Sequence, residues 1–441
     1  MMEFSFDDYT ELLSKKSLIY PKNFTPNFLI DTSKYDLLAK EYSSKGLKIP
    51  EALEGLKYRT GYEYFLKIYI TQSLAMNFSE SSFPAYRFLL PDILVDDWLS
   101  IVDLHKSNCR DHSIHQPLTS YIVFKLLGGG RSEDSFKIDD EPLLDLCIKS
   151  LLKHDKSNLI YEYAVSTCYN KAIDITHHHN IAYSVWKQLF YETAMKAAIF
   201  HDMGYPWQFI NRINSSIKNS DFRFEEINTH STQVLTNFAN RLILAPFWGY
   251  QSTRIPPSTW NDTLINLISK SLTQTHGFPG ALSFLYLNDL IRKYPDENKY
   301  KLHQFSIEWA ALGIMMHDMK NIYWGNNKKQ PENKFLRLSF DKDPLSCIIC
   351  LADLLQEFER PFVKLSFSNS SSNFEYSYSC KQSSLRQSNS LLEIYYHFRN
   401  DSFKAVNKKF KQKEEFEFFD QKYGYLDFSS IGIKSVKLIC Q

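Results

Sequence analysis

Five short stretches of this 441-residue chain set ionisable side chains directly against apolar runs. Ala197-Ala198-Ile199-Phe200 leads into His201-Asp202, and Trp309 to Met316 leads into His317. Leu345 to Ala352 leads into Asp353, while Thr275-His276-Gly277 precedes the apolar run Ala281 to Leu290. Arg110-Asp111-His112-Ser113-Ile114-His115 opens a further segment that runs to Leu127. A carboxylate among aliphatic neighbours is costly to bury unless a cation or strong donors meet it. Imidazoles and carboxylates without thiolate suit a borderline-to-hard divalent metal such as Mn, Fe, Zn, Ni or Mg. Four histidines and two aspartates exceed what one catalytic ion with open positions can use. They suit two ions that share a bridging carboxylate.

The elements that must position these groups read as helices. Asp343-Pro344 is a strong helix start ahead of Leu345. Gly204-Tyr205-Pro206, just past Asp202, reads as a helix stop with glycine suited to a left-handed cap. Residues 1–104 read as helical segments broken by proline-containing loops, and residues 105–361 as a longer helical region with an insertion around 128–180. Gly128-Gly129-Gly130 marks a flexible helix exit, and Pro246 to Trp260 a second irregular stretch. After Pro361 the texture changes. Val363 to Phe367 and Phe374 to Tyr378 alternate apolar and polar residues around a Ser/Asn cluster, which predicts a hairpin in a small mixed α/β appendix over 362–441. The predicted fold class is therefore mainly α.

The order His115, His201-Asp202, His276, His317, Asp353 over residues 105–361 resembles the HD-domain superfamily of metal-dependent phosphohydrolases. The local sequences RDHSIHQ, FHDMGYP, THGFPGAL, AALGIMMHD and DPLSCIICLADLLQEFERP are similar to those of bacterial HD-domain proteins. The resemblance implies a five-helix core. The two histidines between the HD pair and the last Asp imply its dinuclear branch, which includes cyclic-di-nucleotide phosphodiesterases. It implies that His115, His201, Asp202 and Asp353 hold one divalent ion (Mn, Fe, Ni or Zn), and that Asp202 bridges to a second ion held by His276 and His317. His112 lies one turn before His115 and is the counterpart of an acid that protonates the leaving group. Which of His112 and His115 is the first ligand stays open at this point. The implied reaction is attack of a metal-activated hydroxide on the phosphorus of a nucleotide or cyclic-nucleotide phosphodiester. Arg110 and Lys320 are candidates for a phosphate oxygen and Trp207 for stacking a base. The GYP after HD is not the motif of the HD-GYP subfamily, which carries it farther downstream. The same ligand set serves the di-iron centre of myo-inositol oxygenase, so an oxygenase, or a non-catalytic nucleotide-sensing module, is the alternative.

Composition bounds the setting. Lys and Arg number 51 against 50 Asp and Glu, a formal net charge of +1, which disfavours bulk binding of duplex nucleic acid or an anionic membrane. Seven cysteines make no disulfide framework, so reduced thiols and a cytoplasmic location are expected. Cys347 and Cys350 read as buried helix filling rather than a metal or redox pair. Lys404, Lys408, Lys409, Lys411 and Lys413, next to Glu414, Glu415 and Glu417, read as a solvated face. No apolar run approaches the length of a membrane span. A protein partner or a second copy would dock through residues 1–104 or 362–441.

Overall fold

The computed structural model describes residues 1–14, 112–154, 178–204, 275–290, 297–326, 329–358, 361–368, 371–378 and 380–441. In chain order these form β1 (Met2–Ser5), α1 (Phe6–Ser14), α2 (His112–Leu126), the short pair β2 (Lys137–Ile138) and β3 (Glu141–Pro142), α3 (Leu143–His154) and α4 (His178–Phe200). There follow α5 (Gly277–Leu290), α6 (Glu297–His317), α7 (Lys320–Trp324), β4 (Leu338–Ser339) and α8 (Pro344–Leu355). The C-terminal part adds β5 (Pro361–Ser368), β6 (Ser371–Tyr378), β7 (Cys380–Ser388), β8 (Leu391–Phe398), α9 (Asp401–Phe419), β9 (Leu426–Asp427) and β10 (Ser435–Cys440). The fold is mainly helical with a small mixed sheet. No described helix is long and apolar enough to cross a membrane.

Helices α2, α4, α5, α6 and α8 pack on one another through the apolar runs that lead to the ionisable residues. Trp309 to Met316 of α6 is buried throughout, with Trp186 and Phe190 of α4 edge-on to Trp309 at centroid distances of 6.4 and 5.5 Å. Helix α8 starts as its sequence predicts: Asp343 accepts from the Ser346 backbone N–H at 3.1 Å, with Pro344 in the first turn. Every residue of α8 except Asp353 is buried, Cys347 and Cys350 among them. A helix apolar on all sides belongs in the middle of the molecule, and there its one charged side chain has to face a polar site.

The predicted hairpin is present: β5 and β6 pair antiparallel, with Val363 opposite Tyr376 and Leu365 opposite Phe374. A second sheet runs in the order β1-β7-β8-β10, antiparallel except for the β8–β10 pair. The start of the chain therefore closes the edge of a sheet made from its end, Met2 lying opposite Leu385. Helical reading of the N-terminal region fails at residues 2–5, where Phe4 is fully buried against the edge of the Tyr121 ring. Tertiary burial decides that segment, since four residues are too few to carry a period of their own.

The C-terminal part holds the ends of the two helices that carry His317 and Asp353. The last carbonyls of a helix have no partner within it. Here the Tyr425 hydroxyl donates to the Met316 carbonyl at 2.5 Å, Tyr396 to Leu354 at 2.9 Å and Ser383 to Leu355 at 2.6 Å. Lys411 joins the same support. It is 1% exposed, contacts Glu357 and Glu414 at 2.8 Å each, and lies 4.3 Å from the centre of the Tyr396 ring. Its place in a solvated basic face is thereby corrected. Two carboxylates and an aromatic ring offset the burial that would otherwise drive the ammonium to lose its proton, and its pKa stays well above the ordinary value.

Candidate metal centre

All the ligand-type residues sit at helix ends that meet. His115 is in the first turn of α2, His201-Asp202 form the turn that ends α4, and His276 immediately precedes α5. His317 is the last residue of α6, and Asp353 lies in the last turn of α8. Two glycines allow this convergence. A Cβ on Gly204 would fall 1.8 Å from the His276 carbonyl oxygen and 2.6 Å from the Gly280 nitrogen. A Cβ on Gly277 would fall 2.7 Å from the carbonyl oxygen of Ile314. Gly204 is thus required for close approach, and the left-handed cap its position suggested is not formed.

Each of the four imidazoles sets its Nδ1 against an oxygen that accepts. His201 Nδ1–H donates to the Ala198 carbonyl at 2.7 Å, and His317 Nδ1–H to the Ile314 carbonyl at 2.6 Å. His276 Nδ1–H donates to Asp318 Oδ2 at 2.8 Å. His115 Nδ1–H donates to Gln356 Oε1, whose amide orientation is set by its own Nε2–H bonding the Phe358 carbonyl at 2.8 Å. With the proton on Nδ1, a neutral imidazole presents a lone pair at Nε2, the form a metal ligand takes.

Those four Nε2 atoms point at one another and at two carboxylates. His115 and His201 Nε2 are 3.0 Å apart, as are those of His276 and His317. Asp202 Oδ1 lies 3.0 Å from His276 Nε2, 3.4 Å from His201 Nε2 and 3.5 Å from His317 Nε2. Asp202 Oδ2 is 3.4 Å from His115 Nε2, and Asp353 Oδ1 is 2.9 Å from the same nitrogen. Nitrogens about 2.0–2.1 Å from one ion are about 3.0 Å apart at 90° and about 3.4 Å apart at the tetrahedral angle. The observed spacings are ones that ligand atoms around a cation can take. The donor atoms of His115, His201 and Asp353 form one group within 4.8 Å, and those of His201, Asp202 and His317 another. The residues fit a metal, and His/Asp groups able to hold one are present.

Asp202 is buried with its side chain 2% exposed, as its apolar context predicts. Asp353 differs: its side chain is 25% exposed, so the cluster opens on its side. Burial pushes the His201 imidazole down to about 3, with Asp202 opposing the shift. In the metal-free protein, unfolded chains take up this proton below about pH 6.5 while folded chains refuse it until about 3. The unfolded state then binds more protons, so this group's contribution falls as pH falls through that window. Urea unfolding in chelator at pH 7.5, 6.0 and 5.0 should show the loss, with a shallower slope in His201→Asn. Equal slopes in the two proteins would contradict the assignment.

The other predicted site residues fall differently. His112 opens α2, one turn before His115, while Arg110 and Trp207 lie outside the described residues. Lys320 is not brought to the cluster. Its ammonium contacts Glu417 at 2.8 Å and lies 4.5 Å from the centre of the Phe418 ring, tying α7 to α9. Two residues of the site were missed in the sequence. Asp318 forms a second His-Asp dipeptide with His317, the signal that could have found it. Gln356 lies three residues beyond Asp353 but has no signature of its own.

The chain matches no protein-family profile, no curated protein and no solved structure. What fold and site define is a mainly helical protein with a buried His/Asp cluster suited to metal.

Proposed function

We propose that this chain is a metal-dependent phosphohydrolase of the HD-domain type, acting in the cytoplasm on a nucleotide or cyclic-nucleotide phosphodiester. One observation carries the proposal: four Nδ1-anchored imidazoles turn their Nε2 atoms onto Asp202 and Asp353 at ligand spacing. In this reading His115, His201 and Asp353 would hold one divalent ion and His276 and His317 a second, with Asp202 shared between the two groups. When bound, such ions lower the pKa of water and neutralise charge on phosphoryl oxygens. The chain's own part is positional. The carbonyls of Ala198 and Ile314, with Gln356 and Asp318, fix the tautomer and plane of each ring, so little reorganisation is left for the reacting state. The buried apolar runs behind the ligands keep water to the open side at Asp353. His112, one turn from His115, is the proton donor to the leaving oxygen.

The test is release of nitrophenol from bis(4-nitrophenyl) phosphate by purified protein with added Mn²⁺ and no activity in chelator. Substrate-dependent oxygen uptake by an iron-loaded sample, with no phosphodiesterase activity, would instead identify the oxygenase. Neither activity, with a nucleotide still bound, would identify a sensor.

A further inference from the structure

Among the described residues, Asp318 is a carboxylate at the cluster that meets an imidazole on its Nδ1 side rather than its Nε2 side. Its Oδ2 accepts from three N–H groups. They are the backbone N–H of His276 at 2.7 Å, that of Gly277 at 3.3 Å, and the His276 ring Nδ1–H at 2.8 Å. The first two are among the donors that the start of α5 leaves without helical partners. The third fixes the His276 ring. An oxygen that accepts from three N–H groups and faces no acceptor of its own is set up for the carboxylate form. Among the described residues the other three imidazoles set Nδ1 against uncharged acceptors, two of them backbone carbonyls and one a neutral amide. An anionic acceptor on Nδ1–H raises the electron density at Nε2 and the strength of the bond that nitrogen makes to a metal.

We infer that Asp318 is a positioning residue that strengthens the hold of the His276–His317 half of the centre on its cation. This rests on the dinuclear reading above. Removing the charge from Asp318 would weaken that half alone. Replacement of an outer partner of a ligating imidazole costs about 10- to 100-fold in metal affinity.

The test is titration of the chelated full-length chain with Co²⁺, followed by visible absorption and by calorimetry, for wild type and Asp318→Asn. Asparagine keeps the shape and an acceptor oxygen for the α5 backbone while losing the charge. Wild type should bind two ions. D318N should keep one step unchanged and show the other about 10- to 100-fold weaker, with far-UV dichroism and the unfolding midpoint in chelator close to wild type. Superimposable isotherms, or equal weakening of both steps, would overturn the inference and leave the dinuclear centre standing. A wild-type chain that binds no ion would overturn both. Should D318N not fold, histidine-¹⁵N spectra of the wild-type chain decide. A strongly downfield Nδ1 proton on His276, set apart from those of His115, His201 and His317, is expected. Its absence would overturn the assignment.

Discussion

Asp202→Asn should bind neither ion and should hydrolyse bis(4-nitrophenyl) phosphate on the order of 10³-fold more slowly than wild type. Losing a single donor that stabilises transition-state charge costs about 10²–10³ in rate, and here a residue common to both cation sites is removed. Asp202 Oδ1 faces three imidazoles and Oδ2 the fourth, so this one carboxylate touches both halves of the cluster. Each half would be left with neutral imidazoles alone, or with Asp353 alone to oppose the charge. A thermal shift gives an independent readout. A ligand at about 1,000 times its Kd stabilises the folded state by about 4 kcal/mol. Wild type should therefore melt several degrees higher in excess Mn²⁺ than in chelator, and D202N should melt at one temperature in both. A metal-dependent shift of wild-type size in D202N would mean that the ion binds elsewhere.

Gly204→Ala has the next largest expected effect, and it acts through the backbone. The added methyl would meet the His276 carbonyl oxygen and the Gly280 nitrogen, neither of which can swing aside as a side-chain end can. The turn after α4 and the start of α5 would have to separate, carrying His276 away from Asp202. Overpacking costs about 1–3 kcal/mol when side chains can adjust, and a backbone collision belongs at or above the top of that range. Urea unfolding in chelator should show a loss of about 3 kcal/mol or more. Gly313→Ala is the control. Its methyl would lie 3.3 Å from the Ala197 Cβ and 3.4 Å from Leu345 Cδ2, and the helix gains about 1 kcal/mol of propensity, so the net change should stay within about 1 kcal/mol. Equal losses in the two variants would contradict the close-approach role of Gly204.

Much of the cluster was legible because burying charge is costly. A His or Asp that follows Ala197-Ala198-Ile199-Phe200, or Trp309 to Met316, must meet something, and five such places in one chain meet each other. The start of α8 and the β5–β6 hairpin were legible for equally local reasons, a capping Asp before Pro and a period of two. What stayed hidden depends on partners far apart in sequence. Gln356 looks like any polar residue at a helix end until the fold sets it against His115. Lys411 looks solvated until Glu357, 54 residues away, meets it inside the protein. Phe4 gives no sign that its neighbours will extend a sheet built from the other end of the chain. Gly204 was recognised as a glycine with a reason, but the reason was a neighbouring backbone rather than its own dihedral angles. Asp318 repeats the His-Asp pattern, but its role depends on His276, 42 residues away, which the local sequence does not reveal.

The claim beneath all of this is that the cluster holds two metal ions about Asp202. Anomalous diffraction from a Mn²⁺-soaked crystal, recorded above and below the metal absorption edge, tests it directly. Two peaks about 3.5–4 Å apart are expected, one against His115, His201 and Asp353 and the other against His276 and His317, with Asp202 between them. Density at full Mn²⁺ occupancy elsewhere on the chain, with no peak at Asp202, would contradict the account.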